Sequence, residues 1–346
     1  MRRILILLLI ICCVSGTVNA MEFTVPHAPD SAEKYMPEDT ESFGEGLWYI
    51  VKSAIAELQP SLREAGIVCF SIIAMILLVS LLRSFLGNTT QVTALACAVV
   101  IGILLIKPSS SLIQLGLQTV EELSEYGKLL LPVITAAMAA GGGSTTSAAL
   151  YTGTVFFDTL LSMAISKLLV PMIYIYMVLC IACSAIGEEL LKNLRSFVKW
   201  LMTWTLKILL YTFTGYIGIT GVVSGHADAA AIKAAKLTIS GVVPVVGNII
   251  SDASETILIS AGIMRSAVGV YGLLAIAAMW IGPFLLTGTQ YLLLKLTTAV
   301  CGVFGEKKIV DLIKDFSWIM GFVVAMTGTV CLLLLISIVC FMKGVG

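Results

Sequence analysis

Residues 318–342 read WIMGFVVAMTGTVCLLLLISIVCFM, from Trp318 to Met342, without one charged side chain. That run exceeds the ~20 residues an α-helix needs to cross the hydrocarbon core of a bilayer. Working outward from it, comparable runs recur at 66–82, 92–106, 146–166, 168–186, 200–223, 257–279 and 280–301. Two shorter ones, 129–140 and 241–251, are rich in glycine or proline and too short to span, so they are predicted as interrupted, re-entrant segments. Charged residues make up 12% of the chain and hydrophobic residues 58%, more apolar surface than a soluble core can hide. The predicted fold class is all-α, a polytopic integral membrane protein.

The ends carry a different signature. Arg2 and Arg3 precede an apolar stretch, Ile4–Val14, and Val18-Asn19-Ala20 offers the small residues of a cleavage site, so residues 1–20 read as a signal peptide. Cys12 and Cys13 do not make a lipoprotein signal, because Ile11 stands where a small residue is required. Residues 21–62 are predicted to lie outside the cytoplasm. Their first half is acidic, with Glu22, Asp30, Glu33, Glu38, Asp39, Glu41 and Glu45 against Lys34, and Pro26, Pro29 and Pro37 oppose helix there. Their second half repeats Phe43, Leu47, Ile50, Ala54 and Leu58 at helical spacing, one face of an amphipathic helix that lies on the membrane, on a partner or on the protein's own bundle. Residues 63–346 form the multi-span domain. Within it, Lys107-Pro108-Ser109 reads as a helix start, followed by an amphipathic stretch through Leu112, Leu115, Val120, Leu123 and Tyr126.

A weak internal symmetry relates 129–223 to 241–342. Pro132 and Pro171 are spaced like Pro244 and Pro283, and Gly187-Glu188 matches Gly305-Glu306 at an offset of 118. Leu194, Trp200 and Met202 match Leu312, Trp318 and Met320 at the same offset. An odd number of spans per copy makes such a repeat inverted, and an even number makes it parallel. Loop charges do not choose between them: Lys192, Arg195 and Lys199 compete with Lys307, Lys308 and Lys314.

Composition removes several function classes. With 21 basic and 21 acidic residues, nothing favours nucleic acid. Seven of the nine cysteines sit in apolar runs, where cysteine behaves as a small hydrophobe. Cys180 and Cys183 have redox spacing but no second pair, and His27 and His226 are the only histidines. No nucleophile–base pair, metal site or carboxylate dyad is evident, so no catalytic, cofactor or metal residue is predicted.

Polar and flexible strings supply the candidates instead. Gly141, Gly142 and Gly143, followed by Ser144 and Thr145, cannot continue a lipid-facing helix. They read as a pore or cavity element, or as a small-residue packing site. No lysine follows them as a phosphate loop requires. Their counterpart around Gly247 carries Asp252 and Glu255, which cap a helix or face a cavity. Ionisable residues inside apolar runs are expected to face the bundle and find partners. Asp158 is expected to pair with Lys167 or Arg265, the three forming the buried charge candidates. Lys167 and Lys295 are also placed to snorkel.

Leu130-Leu131-Pro132-Val133 with the Gly-Gly-Gly-Ser-Thr-Thr-Ser-Ala-Ala-Leu-Tyr string (141–151), and Pro-Val-Val-Gly-Asn-Ile-Ile-Ser-Asp-Ala-Ser-Glu-Thr-Ile-Leu (244–258), resemble the stage III sporulation protein AE family of spore-forming bacteria. The resemblance covers about 60 to 340. It implies a multi-pass protein of the mother-cell-derived membrane around the forespore, part of the channel that joins the two compartments. Its implied partners are the other stage III sporulation A proteins, including a secretion-type ATPase and ring-forming subunits, and stage II sporulation protein Q, besides membrane lipid. The alternative is a stand-alone secondary transporter with an inverted-repeat core.

Overall fold

The computed structural model describes residues 26–37, 43–86, 91–140, 144–219 and 267–343, and these form helices with no strand among them. α1 is one turn, Asp30–Glu33. It forms between Pro29 and Pro37, in a stretch where the prolines had argued against helix; Pro29 takes the cap position, where its missing N–H costs nothing. The long helices are α2 (Phe43–Leu86), α3 (Gln91–Ala140), α4 (Ser144–Ala164), α5 (Val170–Ile186), α6 (Glu189–Ile219), α7 (Ala267–Phe304) and α8 (Lys307–Lys343). A π-helical turn, Ile165–Leu169, joins α4 to α5 without a break.

Among the described residues, five helical stretches are long and apolar enough to cross a membrane: Phe43–Leu81, Leu95–Ala136, Leu150–Ile186, Gly269–Phe304 and Lys307–Phe341. The protein is therefore a multi-pass helical membrane protein. The separate runs read from the sequence fuse into fewer, longer helices. Lys107-Pro108-Ser109 starts no helix; α3 passes through both Pro108 and Pro132. The 129–140 run is the last part of that same helix and not a separate interrupted segment. Likewise α7 passes through Pro283 and unites 280–301 with the end of the run before it. Proline inside a packed apolar helix is tolerated because neighbouring groups re-satisfy the freed carbonyl. The boundary expected at 62/63 falls inside α2.

α8 is the axis of the fold. In its most apolar window 94% of the residues are buried inside the protein, against 17% in that of α2. A helix apolar all round is buried in protein or lipid, and α8 is buried in protein: it packs against α3, α4, α5 and α7. Close approach is set by small residues. A Cβ on Gly116 of α3 would stand 2.6 Å from Val323 Cγ1 of α8, and one on Gly272 of α7 2.6 Å from Leu130 Cδ2 of α3. α2 lies along α7. Its Phe43, Ile50 and Ala54 are buried while Trp48, Tyr49 and Ile55 are exposed, so the amphipathic face packs on the protein's own bundle. α5 ends on Gly187, whose φ of +82° closes the helix in the left-handed conformation that glycine adopts without strain. The turns Gly187-Glu188 and Gly305-Glu306 thus fall between helices at matching positions, α5/α6 and α7/α8. The first segment of the second predicted copy, and the signal peptide, lie outside the described residues.

Candidate functional site

α3 carries a polar stripe that an apolar protein has no structural need for. Lys107, Ser111, Gln114, Gln118, Glu121, Glu125 and Lys128 follow one another at alternating steps of four and three, and every one is exposed. That period places them along one face. The opposite face holds Ile113, Val120, Leu123, Tyr126 and Leu130, buried against α7 and α8. With 50 residues, α3 is about 75 Å long, more than twice a hydrocarbon core. Within the bilayer or beyond it, the stripe faces water or a polar partner, since unpaired charges do not face lipid.

The stripe borders a groove between α2 and α3 of about 620 Å³. Ser61 and Glu64 come from α2; Lys107, Ser111, Gln114 and Gln118 from α3; Leu286 and Gln290 of α7 also line it. Gln290 is 3% exposed and its Nε2 has no partner among the described residues. Beside the groove's helices, α1 is fastened by Ser31 Oγ donating to Glu122 Oε2 at 2.6 Å and Tyr35 Oη donating to Glu57 Oε2 at 2.8 Å.

Two buried carboxylates stand apart from the groove. Asp158 on α4 is 2% exposed, and Ser124 Oγ of α3 donates to its Oδ2 at 2.6 Å. The expected pairing with Lys167 does not form: Lys167 sits exposed in the π-turn, two turns away along the chain, and the long side chain reaches outward. Lys167 is therefore not a buried charge. Lys295 likewise is exposed and lies over the Tyr291 ring, 5.8 Å from its centroid.

Asp315 on α8 is the second carboxylate, and it gathers three helices. Arg195 Nη1 of α6 donates to Oδ2 at 2.6 Å, Tyr176 Oη of α5 donates to Oδ1 at 3.0 Å, and Lys199 Nζ lies 4.0 Å from Oδ1. Lys199 also sits 4.6 Å above the Trp318 ring, which packs edge-on against Tyr176. Burial pushes the Lys199 ammonium below its ordinary value, while Asp315 pulls it the other way. Reading the sequence counted Arg195 and Lys199 only as loop charges. The signal it passed over is Asp315 three residues before Trp318, at the mouth of an otherwise uncharged run.

The glycine string Gly141, Gly142 and Gly143, with Asp252, Glu255 and Arg265, lies outside the described residues. Ser144 and Thr145 open α4, directly after the string. All seven described cysteines are buried, Cys180 and Cys183 among them. Among the described residues no group of three or more His, Cys, Asp or Glu side chains is placed to hold a metal ion.

No solved structure matches the chain. A relative named stage III sporulation protein AE, from Bacillus subtilis (strain 168), is 20% identical over 264 residues, which cover 75% of this chain and 66% of that protein. The chain thus spans just under two thirds of the relative's length. Residues 33–344 match the sequence model of the family described as stage III sporulation protein AE, and this match covers every long helix of the bundle. A multi-pass helical bundle with that match belongs to the stage III sporulation protein AE family.

Proposed function

We propose that this protein is a membrane subunit of the channel complex between mother cell and forespore, and that it works by assembly and passage rather than by bond chemistry. Membership of the family points to a sporulation role. The observation that carries the finer reading is the α3 stripe, seven exposed polar residues aligned on one face of a helix in a chain that is 58% hydrophobic. Such a face supports a wet path, completed by other chains of the complex or by further copies of this one. Partners of this reading are the other stage III sporulation A proteins, the ATPase and the ring-forming subunits among them, and stage II sporulation protein Q. The membrane around the forespore is the place it implies. Cleavage after Ala20 belongs to the same reading.

The test is thiol accessibility in sporulating cells. The described native cysteines are buried, so background labelling is low. Single cysteines placed along 107–128 should react with a charged, membrane-impermeant maleimide at the stripe positions and stay protected at the buried positions Ile113, Val120, Leu123 and Tyr126. Uniform protection along α3 would sink the wet-face reading. Labelling that is unchanged when the partner proteins are deleted would favour the stand-alone transporter, the second reading, which the buried Asp158 supports.

A further inference from the structure

Between α3 and α4 a buried carboxylate meets a buried serine, Asp158 with Ser124, and a buried threonine, Thr154, lies one turn before the carboxylate on α4. Asp158 is 2%, Ser124 2% and Thr154 0% exposed. Ser124 serves only Oδ2 of the carboxylate. Oδ1 of Asp158 and Oγ1 of Thr154 have no partner among the described residues. Thr154 precedes Asp158 by four residues on α4, so the two share a face.

Thr154 departs from the habit of its neighbours. Thr119, Thr135, Thr203, Thr205, Thr297 and Thr329 each donate their hydroxyl to the carbonyl four residues earlier, at 2.6–2.8 Å. That bond is the default for a threonine in a packed helix. A threonine that forgoes it, buried beside a half-satisfied carboxylate, leaves two oxygens free for a third body.

Charge identifies that body. An ionised carboxylate inside a bundle costs several kcal/mol unless compensated. Among the described residues of the helices packed on α4, namely α3, α6 and α8, only α3 brings a charge close, at Lys128. Lys128 is exposed, at the end of the polar stripe of α3. A site of hard oxygens, without thiolate or imidazole, suits a hard cation. A single carboxylate balances a monovalent cation, whereas a divalent ion there keeps an uncompensated positive charge inside the bundle. We propose that Asp158, Thr154 and Ser124 form a binding site for a sodium ion inside the bundle, at which a proton competes for the same carboxylate.

The test uses the purified full-length protein in detergent and a fluorescent carbodiimide, which modifies poorly solvated carboxyl groups in their protonated form. Wild type should label at Asp158, and Asp158→Asn should lose that label. Sodium chloride should suppress the labelling, while potassium chloride or N-methylglucamine chloride of equal ionic strength should not. Thr154→Val should keep the label and require about tenfold more sodium for the same protection, the loss of one good ligand. Labelling indifferent to sodium overturns the site. So does equal sodium protection in Thr154→Val. If Asp158 takes no label in wild type, thermal unfolding decides. A sodium-specific rise in Tm that Asp158→Asn abolishes supports the site; no such rise overturns it.

Discussion

Removing Arg195 should cost more than removing Lys199, although both cations face Asp315. Arg195 donates a 2.6 Å hydrogen bond to Oδ2, and the two side chains are 21% and 11% exposed. Lys199 stands 4.0 Å from Oδ1 with its own side chain 37% exposed. Breaking a fully buried pair from one side costs about 3–5 kcal/mol, because the remaining charge is left uncompensated. Here the arginine is partly wet and Lys199 stays behind as a second cation, so about 2 kcal/mol is expected for Arg195→Ala. Lys199→Ala loses a weak ion pair and a cation–π contact at 4.6 Å, together about 1 kcal/mol. Asp315→Asn should cost at least as much as Arg195→Ala, since it leaves two cations one turn apart on the same face of α6 without a counter-charge. The assay is reversible unfolding in mixed micelles followed by tryptophan fluorescence. Trp318 lies under Lys199 and reports on the site directly. A double-mutant cycle with Arg195→Asp and Asp315→Arg isolates the pair: the swap should recover at least half of the single-mutant losses. If Lys199→Ala destabilises more than Arg195→Ala, or the swap recovers nothing, the geometry described for α5, α6 and α8 is wrong.

Other perturbations follow the same logic. Gly116→Leu should drive α3 off α8, because even a Cβ there would meet Val323 at 2.6 Å; about 1–3 kcal/mol of stability should be lost, seen as a lower Tm of the purified protein. Tyr35 is held protonated: burial first, then its bond to Glu57, pushes the phenol up to about 12. A raised value in the fold contributes stability that is whole below the ordinary ~10 and disappears as pH rises through about 12. The protection of residues 30–36 against hydrogen exchange, taken relative to free amides at the same pH, should therefore fall over that interval in wild type, and a Tyr35→Phe variant should show no step there. N-terminal sequencing of protein purified from membranes should begin at or near Met21; an intact Met1 would refute signal cleavage.

Much of the molecule is legible in one dimension. Charge-free runs such as 318–342 dictate helices in an apolar setting, because only a helix satisfies its own backbone there. The periodicity of Phe43, Ile50 and Ala54, and of Val120, Leu123 and Tyr126, marks the faces that do turn inward. The glycine turns at 187 and 305 fall where the helices end. Segment boundaries were less legible. Pro108, Pro132 and Pro283 look like punctuation, yet in a packed bundle neighbours compensate for the lost hydrogen bond and the helices run on.

The tertiary structure alone decided what each apolar run faces. Protein interior and lipid are equally apolar, so hydropathy cannot distinguish α8, whose most apolar window is 94% buried, from α2, where that share is 17%. It alone decided partners too. Arg195 meets Asp315 across 120 positions and Asp158 meets Ser124 across 34, and no pattern along the chain encodes either pairing. The sequence says that a buried charge must find compensation; which group supplies it depends on which helices lie side by side, and that is settled by packing summed over the whole bundle.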